Sequence, residues 1–252
     1  MSLEDKNVVV TGGSRGLGLG LVEALVAQGA RVTVVARDPD VLKAVRARLR
    51  VATISADATD ETAAQRILAE VRPDILVLNA GTPPRMARLD QTSWADFTAP
   101  WETDVKAGLF WLQAALNLPL QPTSRVLVLS SGAAVSGSPM SGGYGGAKRM
   151  LWFMASYANG ISKQKDLGVR FQVIVPQQMV LGTGIGDAGA NAYARAMNIE
   201  PEAFVRRFGA PMSPREFGEM VVSVLEDPTY AEGLAFGIKG DTGVTILEGA
   251  TT

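Results

Sequence analysis

The sequence predicts one doubly wound α/β domain, a parallel sheet with helices on both faces. Three observations carry that expectation. Strand-like and helix-like runs alternate along the 252 residues, the order expected of a parallel sheet. Several strand-like runs are continuously apolar, as in strands buried on both faces. The first of them breaks into glycines before a helix begins, which leaves bare backbone N–H groups at a helix N-terminus, a ready site for a phosphate.

Val8, Val9 and Val10 are β-branched and contiguous, so a strand is expected over 7–10. Thr11, Gly12, Gly13, Ser14, Arg15 and Gly16 form the break. Leu17, Leu21, Val22, Leu25 and Val26 then recur at three- and four-residue steps, which predicts a helix over 17–28. By the same reasoning strands are expected at 31–35, 51–55, 75–78, 125–130, 169–175 and 234–238. Helices are expected at 41–49, 61–71, 101–116, 144–161 and 214–225. Right-handed crossovers between these strands wind the sheet in both directions. No linker or repeat divides the chain, so residues 1–252 are read as a single domain. The long irregular stretch, 176–214, contains five glycines.

Composition removes several classes of chemistry. There is no cysteine and no histidine, which excludes disulfides, thiolate or imidazole metal sites and a serine–histidine triad. No metal site is expected, and any general acid or base must be Tyr, Lys, Asp or Glu. A net charge of −1 offers no broad basic face for nucleic acid. The charged start, Met1-Ser2-Leu3-Glu4-Asp5-Lys6, has no signal-like apolar core. No apolar run reaches the roughly 18 residues of a membrane span. A cytoplasmic protein without membrane contact is expected.

The glycines fall at Gly12, Gly16 and Gly18, a TGxxxGxG spacing between strand and helix. Asn79-Ala80-Gly81 follows the fourth strand. Tyr144 and Lys148 stand four apart on one helix face, with Ser131 thirteen residues before the tyrosine. On these motifs the chain resembles the classical short-chain dehydrogenase/reductase family, closely over about the first 180 residues and loosely beyond. The resemblance implies a Rossmann-like fold and reversible hydride transfer between a nicotinamide dinucleotide and a small carbonyl or alcohol substrate. It assigns Ser131, Tyr144 and Lys148 to catalysis. Cofactor contacts are implied for Gly12, Ser14, Arg15, Gly16, Leu17, Gly18, Arg37, Asp57, Ala58, Asn79, Ala80, Gly81, Tyr144, Lys148, Pro176 and Thr183. Ala133, Met140, Gln178 and Met179 take the substrate-pocket positions.

The chemistry of the pair can be read directly. Free tyrosine has a pKa near ~10, and a neighbouring ammonium favours the phenolate and lowers it. Tyr144 and Lys148 therefore form an acid/base without histidine, and Ser131 would hold the substrate oxygen. Ser130 is the competing serine, but it is expected to point into the core because strand neighbours face opposite sides. Asp57 has two readings, an adenine contact and a loop or cap residue. Thr183 is either a nicotinamide contact or a loop residue.

The pattern departs from the family at two places. Asp104, in WETDVKAGLFW, stands where the family has a catalytic asparagine, which puts the proton relay in doubt. Pro176 is followed by Gln177 and Gln178 rather than glycine. These departures are the only support for an alternative, a non-catalytic nucleotide-binding sensor on the same fold.

NADP(H) is the preferred cofactor, with NAD(H) the second choice. Ala36 occupies the position of the family's discriminating carboxylate, and Arg37 and Arg15 suit a 2′-phosphate. Asp38-Pro39 reads instead as a helix cap followed by proline at the first helical position. Residues 176–213 read as a substrate lid, with glycine hinges and then apolar faces from Tyr193 and Met197 and from Phe204 and Phe208. A rigid helical excursion is the other reading. The helices at 101–116 and 144–161 resemble those that pair in family homodimers and homotetramers. Trp111, Trp152 and Phe153 are assignable to interface or to core.

Overall fold

The computed structural model describes residues 2–118 and 120–249. One eight-stranded sheet runs through it in the order β3-β2-β1-β4-β5-β6-β7-β8. The strands are β1 (Asn7–Thr11), β2 (Arg31–Ala36), β3 (Ala52–Ser55), β4 (Ile75–Leu78), β5 (Arg125–Leu129), β6 (Arg170–Pro176), β7 (Ala235–Lys239) and β8 (Gly243–Glu248). The first seven are parallel, as expected. The eighth is a departure, because it returns antiparallel along β7 as a hairpin at the sheet edge.

Helices α1 (Gly16–Ala27), α2 (Pro39–Leu49) and α10 (Pro214–Glu226) cover one face. Helices α3 (Glu61–Val71), α5 (Lys106–Asn117) and α7 (Tyr144–Gln164) cover the other. Alternation along each strand divides its residues between the two cores. Val8 and Val10 join Leu21, Leu25 and Phe217 on the first face, and Val9 joins Ile67, Trp111 and Leu151 on the second. Trp111 and Trp152 belong to this chain's own core, whereas Phe153 is exposed and stacks on Tyr157. The helices α1 and α10 touch backbone to backbone. A side chain at Gly20 would overlap the Pro214 carbonyl, and one at Gly218 would overlap that of Gly20.

The remaining helices are α4 (Trp94–Pro100), α6 (Ala133–Ser136), α8 (Gly184–Met197) and α9 (Pro201–Val205). The helix expected at 101–116 begins earlier and is interrupted. Ser93 caps α4, accepting the Asp96 N–H at 3.1 Å, and Pro100 ends it. A wide π-type turn over Trp101–Val105 then leads into α5. Proline lacks an N–H, and such local widening is how a helix absorbs the missing bond. Strand order reverses between β1 and β4, so a crevice opens at their carboxyl ends, where ligands bind in open α/β sheets. Among the described residues no helix is long and apolar enough to cross a membrane.

Candidate active site

The glycine turn leaves β1 at this crevice, with Gly12 and Gly16 at positive φ. Asn79 at the end of β4 ties the turn down. Its Nδ2 donates to the Gly12 carbonyl at 2.9 Å and to that of Thr11 at 3.2 Å. The Asn79 and Ala80 N–H groups donate to Thr11 Oγ1. A side chain at Gly18 would overlap Asn79 Nδ2 and the Gly12 carbonyl, which explains that glycine by close approach. Asn79 is thus a brace for the cradle, with its amide already committed to the backbone. Gly81 packs on Asp104 (an added Cβ would meet Oδ2 at 2.8 Å). The first turn of α1 has no side-chain cap among the described residues, so its N–H groups are left for an anion. A dinucleotide pyrophosphate fits this cradle.

Arg15 in the glycine turn and Arg37 just after β2 are exposed. Asp38 Oδ1 accepts the Asp40 and Val41 N–H groups at 3.0 and 3.2 Å, so it is the α2 cap, as its sequence context indicates. The Asp57 carboxylate accepts from both the N–H and the hydroxyl of Thr59, each at 2.8 Å. The Thr59 amide, with help from its hydroxyl, Arg37 and Lys106, holds Asp57 below the usual carboxylate range. Of its two sequence readings, the local turn role is the one visible here. The Ala58 carbonyl accepts the Trp111 indole N–H at 3.0 Å, which turns that backbone group toward the core.

Ser131, Tyr144 and Lys148 converge where β5 ends. Ser130 donates to the Lys148 carbonyl at 2.9 Å and is buried, so it fastens β5 to α7. Ser131 is left facing the tyrosine. Tyr144 opens α7 and is 6% exposed. Lys148, one turn on, has Nζ 5.7 Å from the tyrosine ring centre and donates to the Leu129 carbonyl at 3.3 Å. The glycines around Tyr144 mark crowding. A side chain at Gly143 would overlap the Phe97 carbonyl, and one at Gly145 would meet that of Ala133 at 2.8 Å. Trp101 adds an indole N–H to the Gly143 carbonyl at 3.2 Å.

The wide turn brings in Asp104. It is 1% exposed, with Oδ2 3.0 Å from Lys148 Nζ and Oδ1 accepting the Thr82 N–H at 2.9 Å. Oδ2 has no aligned hydrogen-bond donor, so the contact is chiefly one of charge. Burial first, and this partner after it, turn the tyrosine away from the lowered value expected of it. Burial pushes the Tyr144 hydroxyl above its ordinary value. Lys148 pulls it down, Asp104 pushes it up, the Ser131 hydroxyl pulls it down, and the net direction is upward. Burial also opposes the Lys148 ammonium, but Asp104 and Tyr144 outweigh it and raise that pKa too.

The pocket positions divide. Ala133 and Met140 lie half-buried on the β5–α7 connection. Met179 packs against α8, where a side chain at Gly189 would meet its Cε at 3.1 Å. Gln178 has its side-chain amide engaged by backbone groups. Its amide donates to the Ala210 carbonyl at 2.9 Å and accepts the Gly240 N–H at 2.6 Å, because an amide 8% exposed must find partners. Pro176 accepts the Gly132 N–H at 2.7 Å. Thr183 caps α8, accepting the Gly186 N–H at 3.0 Å, and lies 3.5 Å from where a Gly16 side chain would stand.

Of the glycines expected as hinges, Gly182 lies ahead of α8 at positive φ, whereas Gly184, Gly186 and Gly189 lie inside it, and Gly186 is there because the Val180 carbonyl leaves no room for a side chain. Sequence reasoning missed the role of Tyr193, reading it only as part of an apolar face. Its hydroxyl meets Ser138 Oγ at 2.8 Å and accepts the Met140 N–H at 3.2 Å. Its ring stacks on Phe204 at 5.2 Å. The signal available was a phenol on an otherwise small-residue helix face. Among the described residues no cluster of acidic side chains could hold a metal.

A family profile described as short chain dehydrogenase matches residues 6–195. The chain belongs to the short-chain dehydrogenase family. The short chain dehydrogenase/reductase AacuD of Aspergillus aculeatus is 36% identical over 152 residues, which is 57% of this chain and 54% of the relative. The hydroxynaphthalene reductase arp2 of Aspergillus fumigatus is 32% identical over 162 residues, 60% of this chain and 59% of the relative. The chain thus spans little more than half the length of these two relatives. A solved actinorhodin polyketide ketoreductase variant with NADPH superposes with a TM-score of 0.81 at 20% identity, covering 95% of this chain and 97% of that one. That likeness is one of fold.

Proposed function

We propose that this protein is a nicotinamide-dependent oxidoreductase that interconverts a small carbonyl compound and its alcohol. The observation that carries this reading is the convergence of Ser131, Tyr144 and Lys148 beside the glycine cradle. The bound dinucleotide would supply or accept the hydride. The chain's own residues do the rest. The first turn of α1 holds the pyrophosphate, Ser131 orients the substrate oxygen, and Tyr144 donates or accepts its proton. The names of the reductase relatives favour carbonyl reduction. A panel of ketones and aldehydes with reduced cofactor tests the reading, and turnover of none of them would overturn it.

The preferred cofactor is NADP(H). Ala36 leaves no carboxylate at the end of β2, the Asp38 carboxylate caps α2, and neither Arg15 nor Arg37 forms a salt bridge among the described residues. Both guanidiniums are therefore available to a 2′-phosphate. Arg37→Ala is expected to lower kcat/KM with NADPH by about tenfold or more, the equivalent of ~1.4 kcal/mol, and to leave the value with NADH nearly unchanged. Equal efficiency with NADH in the unaltered protein removes the preference.

Residues 176–213 serve as the substrate lid, latched by Tyr193 onto the β5–α7 connection. Tyr193→Phe removes two hydrogen bonds of about 1 kcal/mol each. Amide exchange across 181–195 should then quicken, and added NADP(H) should slow it in the unaltered protein. Equal protection with and without cofactor, unmoved by the substitution, would mean a preformed pocket.

A further inference from the structure

We propose that Asp104 is a positioning residue which, by pairing with the Lys148 ammonium, keeps the proton on the Tyr144 hydroxyl and so poises the site to donate protons. The inference rests on the oxidoreductase reading and assigns that site its favoured direction, carbonyl reduction.

An ammonium has three N–H donors. The Leu129 carbonyl takes one of them at 3.3 Å, while Asp104 Oδ2, 3.0 Å from Nζ, balances the charge without an aligned hydrogen bond. The carboxylate cannot swing away, because Oδ1 holds the Thr82 N–H and Gly81 packs against it. The charged groups that act on the Tyr144 hydroxyl are Lys148 on its own helix and Asp104 from the wide turn, while Ser131 faces it from the β5–α7 connection as a neutral hydroxyl. Arg149, next along α7, lies instead over the rings of Trp152 and Phe153.

Burial raises the Tyr144 hydroxyl, and the charge count adds to it in the same direction. Lys148 and Asp104 cancel, so the buried trio is neutral only while Tyr144 keeps its proton. Ionising the tyrosine would leave one uncompensated negative charge in a site nearly closed to water, which low-dielectric surroundings disfavour. With asparagine at 104 the same ionisation would give a neutral phenolate–ammonium pair. The step affected is proton transfer alone. In reduction the Tyr144 O–H bond breaks, an O–H bond forms on the substrate oxygen, and solvent returns the proton to the phenolate. Oxidation needs the phenolate first, and Asp104 makes that form scarce.

The test is a pH titration by NMR of protein carrying ring-labelled tyrosine, without cofactor. The chain has four tyrosines, and the Tyr144 signal is the one missing in Tyr144→Phe. The unaltered protein is expected to ionise Tyr144 above the ordinary phenol value of about 10, a readout that needs no variant at position 104. Asp104→Asn keeps the side-chain shape and should lower that midpoint by about a unit or more, since a neighbouring charge commonly moves a pKa by that much. The alkaline limb of alcohol oxidation should move down with it, and oxidation near neutral pH should rise several-fold. Asp104→Glu retains the charge and should titrate close to the unaltered protein. A Tyr144 midpoint below the ordinary value, or one that Asp104→Asn leaves in place or raises, overturns the proposal. A protein that titrates as expected but reduces no carbonyl supports this role for Asp104 and overturns the oxidoreductase reading instead.

Discussion

Tyr144→Phe is expected to lower kcat for carbonyl reduction by about 10²–10⁴-fold, the usual contribution of a general acid. Dinucleotide affinity should change little. Phenylalanine keeps the ring, which is buried at the start of α7. Only the hydroxyl facing Ser131 is lost. The chain has no histidine or cysteine to replace it, and the neighbouring Lys148 ammonium is held against Asp104. Single-turnover reduction followed by cofactor fluorescence checks both halves of the statement. Residual turnover within tenfold of the unaltered protein would move the proton donor elsewhere. Lost cofactor binding would mean that the hydroxyl itself is a cofactor contact.

Lys148→Met is expected to damage folding as well as turnover, and the folding loss is the more diagnostic. Lys148 and Asp104 are 4% and 1% exposed, so removing the ammonium leaves a carboxylate buried without its partner. Breaking such a pair from one side costs about 3–5 kcal/mol. For a chain of this size that lowers Tm by roughly 6–20 °C. The double substitution Lys148→Met with Asp104→Asn removes both charges, and it should recover most of the lost Tm while remaining inactive. If the single and double variants melt together, the pair carries no structural weight and the 3.0 Å contact is incidental. Calorimetry of the three proteins decides this without any substrate.

Much of the sheet was legible because its strands are buried on both faces, and such strands write themselves as unbroken β-branched runs. Val8–Val10 and Ile75–Leu78 needed no tertiary information. The edge hairpin was harder. Thr245, Ile246 and Leu247 of β8 are exposed, so they show neither a continuous apolar run nor a clean alternation, although Asp241-Thr242 ahead of Gly243 carries turn chemistry. The break at Trp101–Val105 was hidden because apolar spacing continues across a widened turn, and only Pro100 marks it. The site divides along the same line. Motif spacing identified Ser131, Tyr144 and Lys148, and the departure at Asp104 could be seen as a residue type. That this carboxylate would reach Lys148 could not, because the reach is produced by the turn. Nor does a glutamine after Pro176 announce that both ends of its amide bind backbone. Such brace roles depend on which polar groups folding leaves buried.

The backbone contact between α1 and α10 has a practical meaning for exchanging specificity between relatives. The segment proposed as the lid meets α1 near both ends, where Thr183 lies beside Gly16 and Pro214 bears on Gly20. Both of its seams are therefore fitted against the same helix, the one that carries the glycine turn. A transplanted segment would behave as a cassette whose end fittings must match α1. A graft cut inside those seams should seat. One that disturbs Gly16, Gly20 or Gly218 would misalign the crevice floor along with its cover.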